Sequence, residues 1–225
     1  MNVGIVVFPG TNCEHDVAYA FGLLGAQTEF VWHRETTLDG FDGVVLPGGF
    51  AHGDYLRAGA IARFSAVMDA VADAAHSGVP VLGICNGFQM LCEAGLLPGA
   101  LIANRDLRFI CRPVHVRVEA TDSVLTRAAK PGQVLHIPLN SYEGSYVPGE
   151  EAPRTVLRYC GPDGTIGEAS NPNGSFDSIA GITNAAGNVA GLMPHPERAF
   201  EDFMLSTDGR VLFESFLSLA EAVHD

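Results

Sequence analysis

The sequence predicts an α/β fold: an open, twisted, mostly parallel sheet flanked by helices, with extra β-hairpin elements in the second half. In the first half, short apolar runs alternate with segments of helical periodicity, which is typical of βαβ units. In the second half, strand-like alternation and hairpin signals dominate. The 225 residues can bury a full core, and no repeat or low-complexity linker divides them. We therefore expect residues 1–225 to form a single domain.

The first half carries the alternation of strand and helix most clearly. A continuous apolar, β-branched run at 3–8 is typical of a strand covered on both faces, and P-G-T-N ends it. Glycines just beyond the helical segments supply their stop signals. The predicted elements are a strand at 3–8, a helix at about 14–24, strands at 28–32 and 43–46, a helix at 65–77, a strand at 79–84 and a helix at 86–94.

The second half changes character. The segment V-H-V-R-V-E alternates in strand fashion, and N-A-A-G-N separates two strand-like runs as a hairpin turn would. The predicted elements are strands at 112–119, 133–139, 155–160, 177–183 and 188–193. A last helix is expected to begin near Asp208 and to carry Leu212, Phe216, Leu219 and Val223 on one face.

Charge and cysteine content exclude several classes of function. The formal net charge is −13, from 26 acidic and 13 basic side chains. Such a surface repels phosphate groups, so we expect neither a nucleic-acid nor a membrane partner. The opening apolar stretch is short and lacks a basic region, which predicts no signal peptide. The five cysteines are odd in number and lack C-x-x-C spacing, which favours a reducing cytoplasmic location without disulfides or a metal site.

A cysteine ends the most apolar predicted strand, in V-L-G-I-C-N-G-F-Q-M (81–90). One interpretation is a small core residue, since free cysteine is often buried. The other is a nucleophile on a strand-to-helix turn, where Gly83 and Gly87 remove neighbouring side chains and the helix N-terminus stabilises a thiolate. Cys85 would then lie at the carboxyl end of a parallel strand, where open α/β sheets bind ligands.

Two other cysteines serve as comparisons. Cys92 falls in the middle of a predicted helix without neighbouring glycines, so core packing is the better interpretation. Cys13 is expected in a loop, exposed enough to react, but it lacks the glycine-flanked turn. Cys85 is therefore the preferred nucleophile.

A thiolate nucleophile needs a base, and the base needs an orienting group. His195 lies between two prolines in G-L-M-P-H-P-E-R, two residues before Glu197. Prolines favour extended backbone, in which residues i and i+2 point to the same side. We expect His195 and Glu197 to face one site, with the carboxylate fixing the imidazole tautomer. A rigid surface loop that carries His195 and Glu197 by chance is the alternative.

An acyl-transfer reaction also needs N–H donors for its oxyanion. The backbone N–H of Asn86, directly after the candidate nucleophile, is one. A second is expected from P-G-G-F (47–50), where another strand ends in glycines that let the backbone approach a ligand. The alternative is a simple turn.

Taken together, G-I-C-N-G-F-Q, V-L-P-G-G-F and G-L-M-P-H-P-E-R resemble the triad-type (class I) glutamine amidotransferases. Within that family the sequence is most similar to the glutaminase subunits of phosphoribosylformylglycinamidine synthase. The segments F-P-G-T-N-C-E-H-D, G-D-Y-L-R-A-G-A-I-A, F-I-C-R-P-V and N-P-N-G-S carry this closer similarity, which runs nearly end to end. The resemblance implies a flavodoxin-like sheet.

The resemblance also implies site residues. Cys85 would attack the side-chain amide of L-glutamine, His195 oriented by Glu197 would transfer protons, and the N–H groups of Gly49 and Asn86 would hold the oxyanion. In addition, Gln89 would help to bind glutamine and Phe109 would belong to a segment that closes the glutamine pocket.

Partners and cofactors follow from the same resemblance. Ammonia would pass through a tunnel to a large synthetase subunit of the PurL type, accompanied by a small subunit of the PurS type. The large subunit would use ATP and magnesium to convert formylglycinamide ribonucleotide in purine biosynthesis. No cofactor is expected in this chain, which also lacks the G-x-x-x-x-G-K-[ST] phosphate loop.

One segment departs from the family pattern. Related sequences often have P-I-A-H-G-E-G-R-Y where this chain has P-L-N-S-Y-E-G-S-Y (138–146), so that Ser141 and Ser145 replace a histidine and an arginine. Three alternatives stay open: a stand-alone cysteine hydrolase or peptidase, another ammonia-channelling amidotransferase subunit, and a regulatory subunit with a relic triad.

Overall fold

The structure is a computed structural model, and it describes residues 1–222 of the chain. Strands and helices alternate in the first half, and strands dominate the second. The strands are β1 (Asn2–Val7), β2 (Gln27–Trp32), β3 (Gly43–Leu46), β4 (Val81–Ile84), β5 (Ala100–Ile102), β6 (Ile110–Val118), β7 (Val134–Ser141), β8 (Ser145–Val147), β9 (Arg154–Cys160), β10 (Ile179–Thr183) and β11 (Val189–Leu192). The α-helices are α1 (Glu14–Leu23), α2 (Ala66–His76), α3 (Asn86–Glu93) and α4 (Arg210–Ala222).

Nine strands form one sheet in the order β2-β1-β3-β4-β11-β10-β9-β6-β7. The first five of these pair in parallel, and the pairs from β11 through β10, β9 and β6 to β7 are antiparallel. The remaining strands, β5 and β8, pair as a separate antiparallel ribbon. This mixed sheet flanked by helices confirms the predicted fold class.

The central parallel strands are apolar because both of their faces are covered. All residues of β3, β4 and β11 are buried, which is what continuous apolar runs predict. On one side, α1 and α4 meet through the aromatic pair Phe21 and Phe213, whose rings lie 4.7 Å apart. The predicted apolar face of α4 agrees at Leu212 and Phe216, both fully buried, whereas Val223 lies outside the described residues.

The predicted elements exist, and their ends differ by a few residues from the structure. Shifts of two residues occur at one end of β4, β6, β7, β10 and α4. The strand β10 begins at Ile179 rather than at position 177, because Phe176–Ser178 forms a 3-10 turn. The ribbon of β5 and β8 was not predicted, since strands of three residues carry too little periodicity to be detected. Among residues 1–222, no helix has both the length and the apolar character to cross a membrane.

Candidate active site

Cys85 lies on a tight turn between β4 and α3. Its backbone has φ 53° and ψ −106°, a conformation that residues with a side chain rarely adopt. The glycines on either side are required by close packing: a Cβ at Gly87 would lie 1.9 Å from the Leu46 carbonyl oxygen, and one at Gly83 would lie 2.6 Å from the Gly87 carbonyl carbon. The predicted strand-to-helix turn is therefore present.

His195 and Glu197 follow β11, the strand that pairs in parallel with β4. Their side chains are buried, and His195 Nδ1 lies 2.6 Å from Glu197 Oε1. The two residues thus meet as predicted, but the extended backbone assumed for them was wrong. Pro196 begins a 3-10 turn through Arg198, because proline is well suited to the first position of a helical turn.

The other ring nitrogen of His195 is directed towards the Cys85 side of the site. This atom, Nε2, is buried and forms no hydrogen bond with any described residue. A Cβ at Gly48 would lie 2.8 Å from His195 Cε1, 3.3 Å from Cys13 Sγ and 3.4 Å from Cys85 Cβ. The side chains of these three residues therefore converge on Gly48, and any residue larger than glycine would collide with the imidazole.

The environment of His195 favours its charged form. Burial lowers the pKa of His195, but the Glu197 carboxylate and the neighbouring sulfur atoms of Cys85 and Cys13 raise it by more, so the pKa lies well above the usual range. A histidine held in this way is positioned to stabilise a thiolate and to release a proton when a leaving group needs one.

The two predicted oxyanion donors belong to different elements, the loop after β3 for Gly49 and the start of α3 for Asn86. Thr11 and Gly49 form an isolated antiparallel bridge in which the flanking residues carry the hydrogen bonds, from Asn12 N–H to Gly48 O and from Phe50 N–H to Gly10 O. In this pattern the N–H of Gly49 takes no part in the bridge. Gly49 has φ 154° and lines the cavity, while Asn86 N–H belongs to the first turn of α3.

Gln89 lies one helical turn after Cys85 and lines the same cavity. Its amide group donates to the Glu143 carbonyl oxygen at 2.5 Å, and its carbonyl oxygen accepts from Asn86 Nδ2 at 2.8 Å. The Asn86 side chain is therefore engaged away from the thiol, which leaves only its backbone N–H for the role predicted from the sequence.

A cavity of about 480 Å³ connects these groups. Its floor is formed by the residues that follow β3, β4 and β11, and one wall by the end of β7, where the Asn140 carbonyl oxygen lies 3.5 Å from Cys85 Sγ. Phe109, half exposed, lies at the rim. The lining residues are Asn12, Cys13, Gly49, Phe50, Asp54, Cys85, Gln89, Phe109, Asn140, Ser141, Tyr142, Glu143, His195 and Arg198.

The expectation that Cys13 is exposed was wrong. Cys13 is only 3% exposed and lines the cavity, with Sγ 3.9 Å from His195 Nδ1 and 3.2 Å from Arg198 Nη2. Its loop is pinned against the strand end, because Cys13 N–H donates to the Gly48 carbonyl oxygen. Cys92 is buried as predicted, and burial raises the pKa of its thiol far above the usual range.

Several polar residues that line the cavity were not predicted as site residues: Asn12, Asp54, Asn140, Tyr142, Glu143 and Arg198. Asp54 lies in G-D-Y-L-R, where the sequence carries a family resemblance but no local signal of a site, and Arg198 follows Glu197 directly. Ser141, which departs from the family pattern, is buried with its Oγ unpartnered by any described residue.

Cys13, His195 and Glu197 bring ligand atoms within 4.8 Å of one another, a spacing that could hold a metal ion.

Comparisons with known proteins agree with this site. The model of the CobB/CobQ-like glutamine amidotransferase domain matches residues 1–212. The phosphoribosylformylglycinamidine synthase subunit PurQ of Gloeobacter violaceus is 52% identical, with 99% of this chain and 100% of that protein aligned. The chain belongs to the PurQ family of glutamine amidotransferases. Another member, from Synechocystis, is 53% identical over 94% of this chain and 98% of its own length.

Solved structures agree with this family. A chain of the PurLQS structure from Thermotoga maritima superposes with a TM-score of 0.89 at 40% identity, over 96% of this chain and 97% of that one. A GMP synthase subunit protein from Thermoplasma acidophilum shares the fold with a TM-score of 0.70 at 18% identity, over 100% of this chain and 96% of that one. The fold is thus shared more widely than the PurQ sequence.

Proposed function

We propose that this chain is the glutaminase subunit of a phosphoribosylformylglycinamidine synthase and that residues 1–225 form a single amidotransferase domain. The observation that carries the proposal is the buried arrangement of thiol, imidazole and carboxylate at Cys85, His195 and Glu197, at the floor of a cavity of about 480 Å³. The PurQ relatives support the choice of glutamine as the amide and of this synthase as the assembly.

The first half of the reaction releases ammonia. The Cys85 thiolate attacks the side-chain amide carbon of glutamine, and the new C–S bond displaces the carbonyl electrons onto oxygen. The backbone N–H groups of Gly49 and Asn86 donate to that oxyanion. When the carbonyl re-forms, the C–N bond breaks and His195 transfers its proton to the departing nitrogen. Ammonia leaves and a glutamyl thioester stays on Cys85.

The second half regenerates the thiolate. His195, now neutral, takes a proton from a water molecule as its oxygen attacks the thioester carbon. The C–S bond breaks, glutamate leaves, and His195 carries the proton needed for the next turnover. Glu197 stabilises this imidazolium throughout, since its carboxylate oxygen lies 2.6 Å from Nδ1. Gln89 binds the substrate beyond its reacting end, and Phe109 covers the cavity at its rim.

The ammonia is consumed by a partner. The family relationship supports two partner proteins, a large synthetase of the PurL type and a small protein of the PurS type. We propose that the large partner, and not this chain, handles ATP and magnesium, since this sequence lacks the G-x-x-x-x-G-K-[ST] phosphate loop. The five cysteines of this chain are free, which supports a reducing cytoplasmic location.

The Cys85→Ala variant tests this proposal. We expect at least a 1,000-fold loss of ammonia release from glutamine, roughly the effect of removing a covalent nucleophile. Synthesis by the assembled complex should continue when ammonium salt replaces glutamine. Cys92→Ala, which removes a buried thiol outside the cavity, is the matched control and should keep its glutaminase activity.

Three outcomes would contradict the proposal. If Cys85→Ala kept glutamine-dependent synthesis, the triad would be a relic. If the wild-type chain cleaved peptides efficiently without a partner, a stand-alone peptidase would be the better description. If the wild-type chain supplied ammonia to a different synthetase but not to the PurL-type subunit, it would serve another ammonia-channelling assembly.

A further inference from the structure

Asp54 is a carboxylate in the cavity without a cationic partner. It lines the same cavity as Cys85 and is partly buried, yet it forms no ion pair with any residue of the described chain. The pKa of Asp54 is raised to about 6: burial and the nearby Glu143 raise it by more than the hydrogen bonds from Asn86 and Gly59 lower it. The site therefore holds a negative charge that nothing in the described chain neutralises.

The neighbouring basic side chains are already paired. Arg57, on the same loop, donates two hydrogen bonds of 2.6 Å to Glu93. Arg198, which also lines the cavity, pairs with Asp16 at 3.4 Å. Neither arginine is free to serve as a counter-ion for Asp54, so a cation that enters the cavity would meet an unpaired carboxylate.

The loop that carries Asp54 holds it in place at a cost in backbone strain. His52, Asp54 and Leu56 all have positive φ angles, of 54°, 51° and 72°. Such angles cost of the order of 1 kcal/mol or more in residues with side chains and are concentrated at functional sites. The loop is fastened to the cavity wall, because Ala58 N–H donates to the Glu143 carboxylate at 2.9 Å.

The position of Asp54 suits one end of the substrate. Asn86 Nδ2 bridges Asp54 Oδ1 at 3.1 Å and Gln89 Oε1 at 2.8 Å, so Asp54 lies beside Gln89. Side chains one helical turn apart, such as those of Cys85 and Gln89, are separated by about 5–6 Å. An extended glutamine spans about 5 Å from its amide carbon to its α-nitrogen. A substrate held at Cys85 and extended along α3 therefore directs its α-ammonium group towards the end of the cavity that holds Gln89 and Asp54.

We propose that Asp54 binds the α-ammonium group of the amino-acid substrate and thereby selects glutamine over amides that lack this group. The Gln89 side-chain oxygen and the Glu143 backbone oxygen lie at the same end of the cavity and complete an acceptor-rich surface for a cation. This inference rests on the proposed glutaminase function and adds a specificity-determining residue to it.

A purely structural role is the competing explanation, because Asp54 also fastens its own loop through Gly59. The two roles differ in their response to the substrate. Loss of a structural fastening lowers activity towards every amide alike. Loss of a carboxylate that binds the ammonium lowers activity only towards substrates that carry it.

The experiment compares two substrates in two enzymes, with the full chain in its complex with the synthetase subunit. The substrates are L-glutamine and glutaramate, its analogue without the α-amino group, and the readout is kcat/KM for ammonia release. For the wild-type protein we expect a strong preference for glutamine. In Asp54→Asn, kcat/KM for glutamine should fall roughly 10- to 100-fold, mainly through KM, while that for glutaramate should stay within about threefold.

Asp69→Asn is the matched control, since it removes one carboxylate from the exposed face of α2 without touching the cavity. It should keep the wild-type preference, and thermal unfolding should show that Asp54→Asn is folded. An equal loss for both substrates in Asp54→Asn would overturn the inference and leave a structural role. If the wild-type complex released no ammonia from glutamine, the proposed function itself would fail, which is a separate result.

Discussion

The backbone conformation of Cys85 explains how a side chain at the end of a buried strand becomes available for chemistry. A positive φ at a residue other than glycine costs about 1–3 kcal/mol, and neighbouring contacts must offset it. The Cys85 N–H donates to the Leu192 carbonyl oxygen at 2.8 Å, and the Gln89 N–H donates to the Cys85 carbonyl oxygen at 3.1 Å. Both backbone groups of Cys85 are thus fixed, and only its side chain is free to react.

The contact between His195 and Glu197 gives a prediction at this scale. Glu197→Gln removes the charge that raises the pKa of His195, so the imidazole loses its proton at lower pH and stabilises the thiolate less. We expect kcat for glutamine hydrolysis to fall at least about 100-fold. The pH–rate profile should also change, because the group that titrates in the wild type above its usual range would titrate lower.

The pH dependence of the free energy of unfolding should also depend on the contact between His195 and Glu197. A histidine whose pKa is raised on folding stabilises the native state fully below its unfolded pKa of about 6.5, and this contribution is lost as pH rises through the native value. Urea unfolding across that range should therefore be less pH-dependent in Glu197→Gln. Glu201→Gln, four residues along and bonded to Tyr19 outside the cavity, is the control. Wild-type rates in Glu197→Gln would refute the role of Glu197.

Individual residues also show how much of the candidate site could be predicted from the sequence alone. The meeting of Cys85, His195 and Glu197 in one site could be predicted because glycines and prolines around them carry strong local signals. Cys13 could not be placed correctly, since its burial arises from hydrogen bonds between its loop and Gly48, a contact between distant parts of the chain. Asp54 could not be predicted as a site residue for the same reason. Its position in the cavity depends on the hydrogen bond from Asn86, and its unpaired charge depends on the absence of a nearby cation among the described residues.

At the scale of elements, the close approach of α3 to the sheet is the decisive feature. A Cβ at Gly87 would lie 1.9 Å from the Leu46 carbonyl oxygen and 2.9 Å from Leu46 Cβ, so α3 contacts β3 at its first turn without intervening side chains. Because α3 can begin this close to β3 and β4, the Cys85 thiol lies at the carboxyl ends of these two strands.

Gly87→Ala tests that packing. The added methyl group must push α3 away from β3, and we expect a loss of at least about 2 kcal/mol in the free energy of unfolding, together with loss of glutaminase activity. Urea denaturation followed by circular dichroism would measure the first effect.

Gly22→Ala on α1 is the comparison variant, because nothing lies within 4 Å of the position that its added methyl group would take. Alanine favours helix over glycine, so this variant should gain up to about 1 kcal/mol. Equal stabilities for the two variants would show that the close contact at Gly87 carries no cost.

Elements with strong hydrophobic periodicity could be predicted from the sequence. Elements that form only through pairing with another strand could not. The buried strands β3, β4 and β11 are continuous apolar runs, and their character was evident from the sequence. The three-residue strands β5 and β8 exist only because they pair with each other. The order of the antiparallel strands within one continuous sheet likewise depends on long-range pairing that no local pattern encodes.

At the scale of the whole molecule, the segment from position 50 to position 64 exposes large apolar side chains on a protein of net charge −13. Four large apolar side chains between positions 50 and 64 are at least half exposed: Phe50 50%, Tyr55 73%, Leu56 91% and Phe64 79%. Several exposed apolar side chains on one segment favour a protein–protein contact there. The segment borders the cavity through Phe50 and Asp54, so a protein bound there would lie beside the site of ammonia release.

Leu56→Asp tests this segment as the docking site of the synthetase subunit. A charge in place of the most exposed side chain should weaken the association at least tenfold, measured by isothermal titration calorimetry with the purified PurL-type subunit. Phe30→Ser, which alters a half-exposed side chain on β2, should bind as the wild type does. Unchanged affinity of Leu56→Asp would place the docking surface elsewhere.

The pairing of β4 with β11 has a consequence for how such a protein can diversify. Cys85 and His195 follow adjacent parallel strands, so their separation is set by the ladder from Val81 and Val189 to Ile84 and Leu192. The long segment between α3 and β11, which contains β5 to β10, contributes one wall of the cavity through Asn140, Ser141, Tyr142 and Glu143. Insertions, deletions and replacements in that segment can reshape this wall of the cavity while Cys85 and His195 keep their spacing.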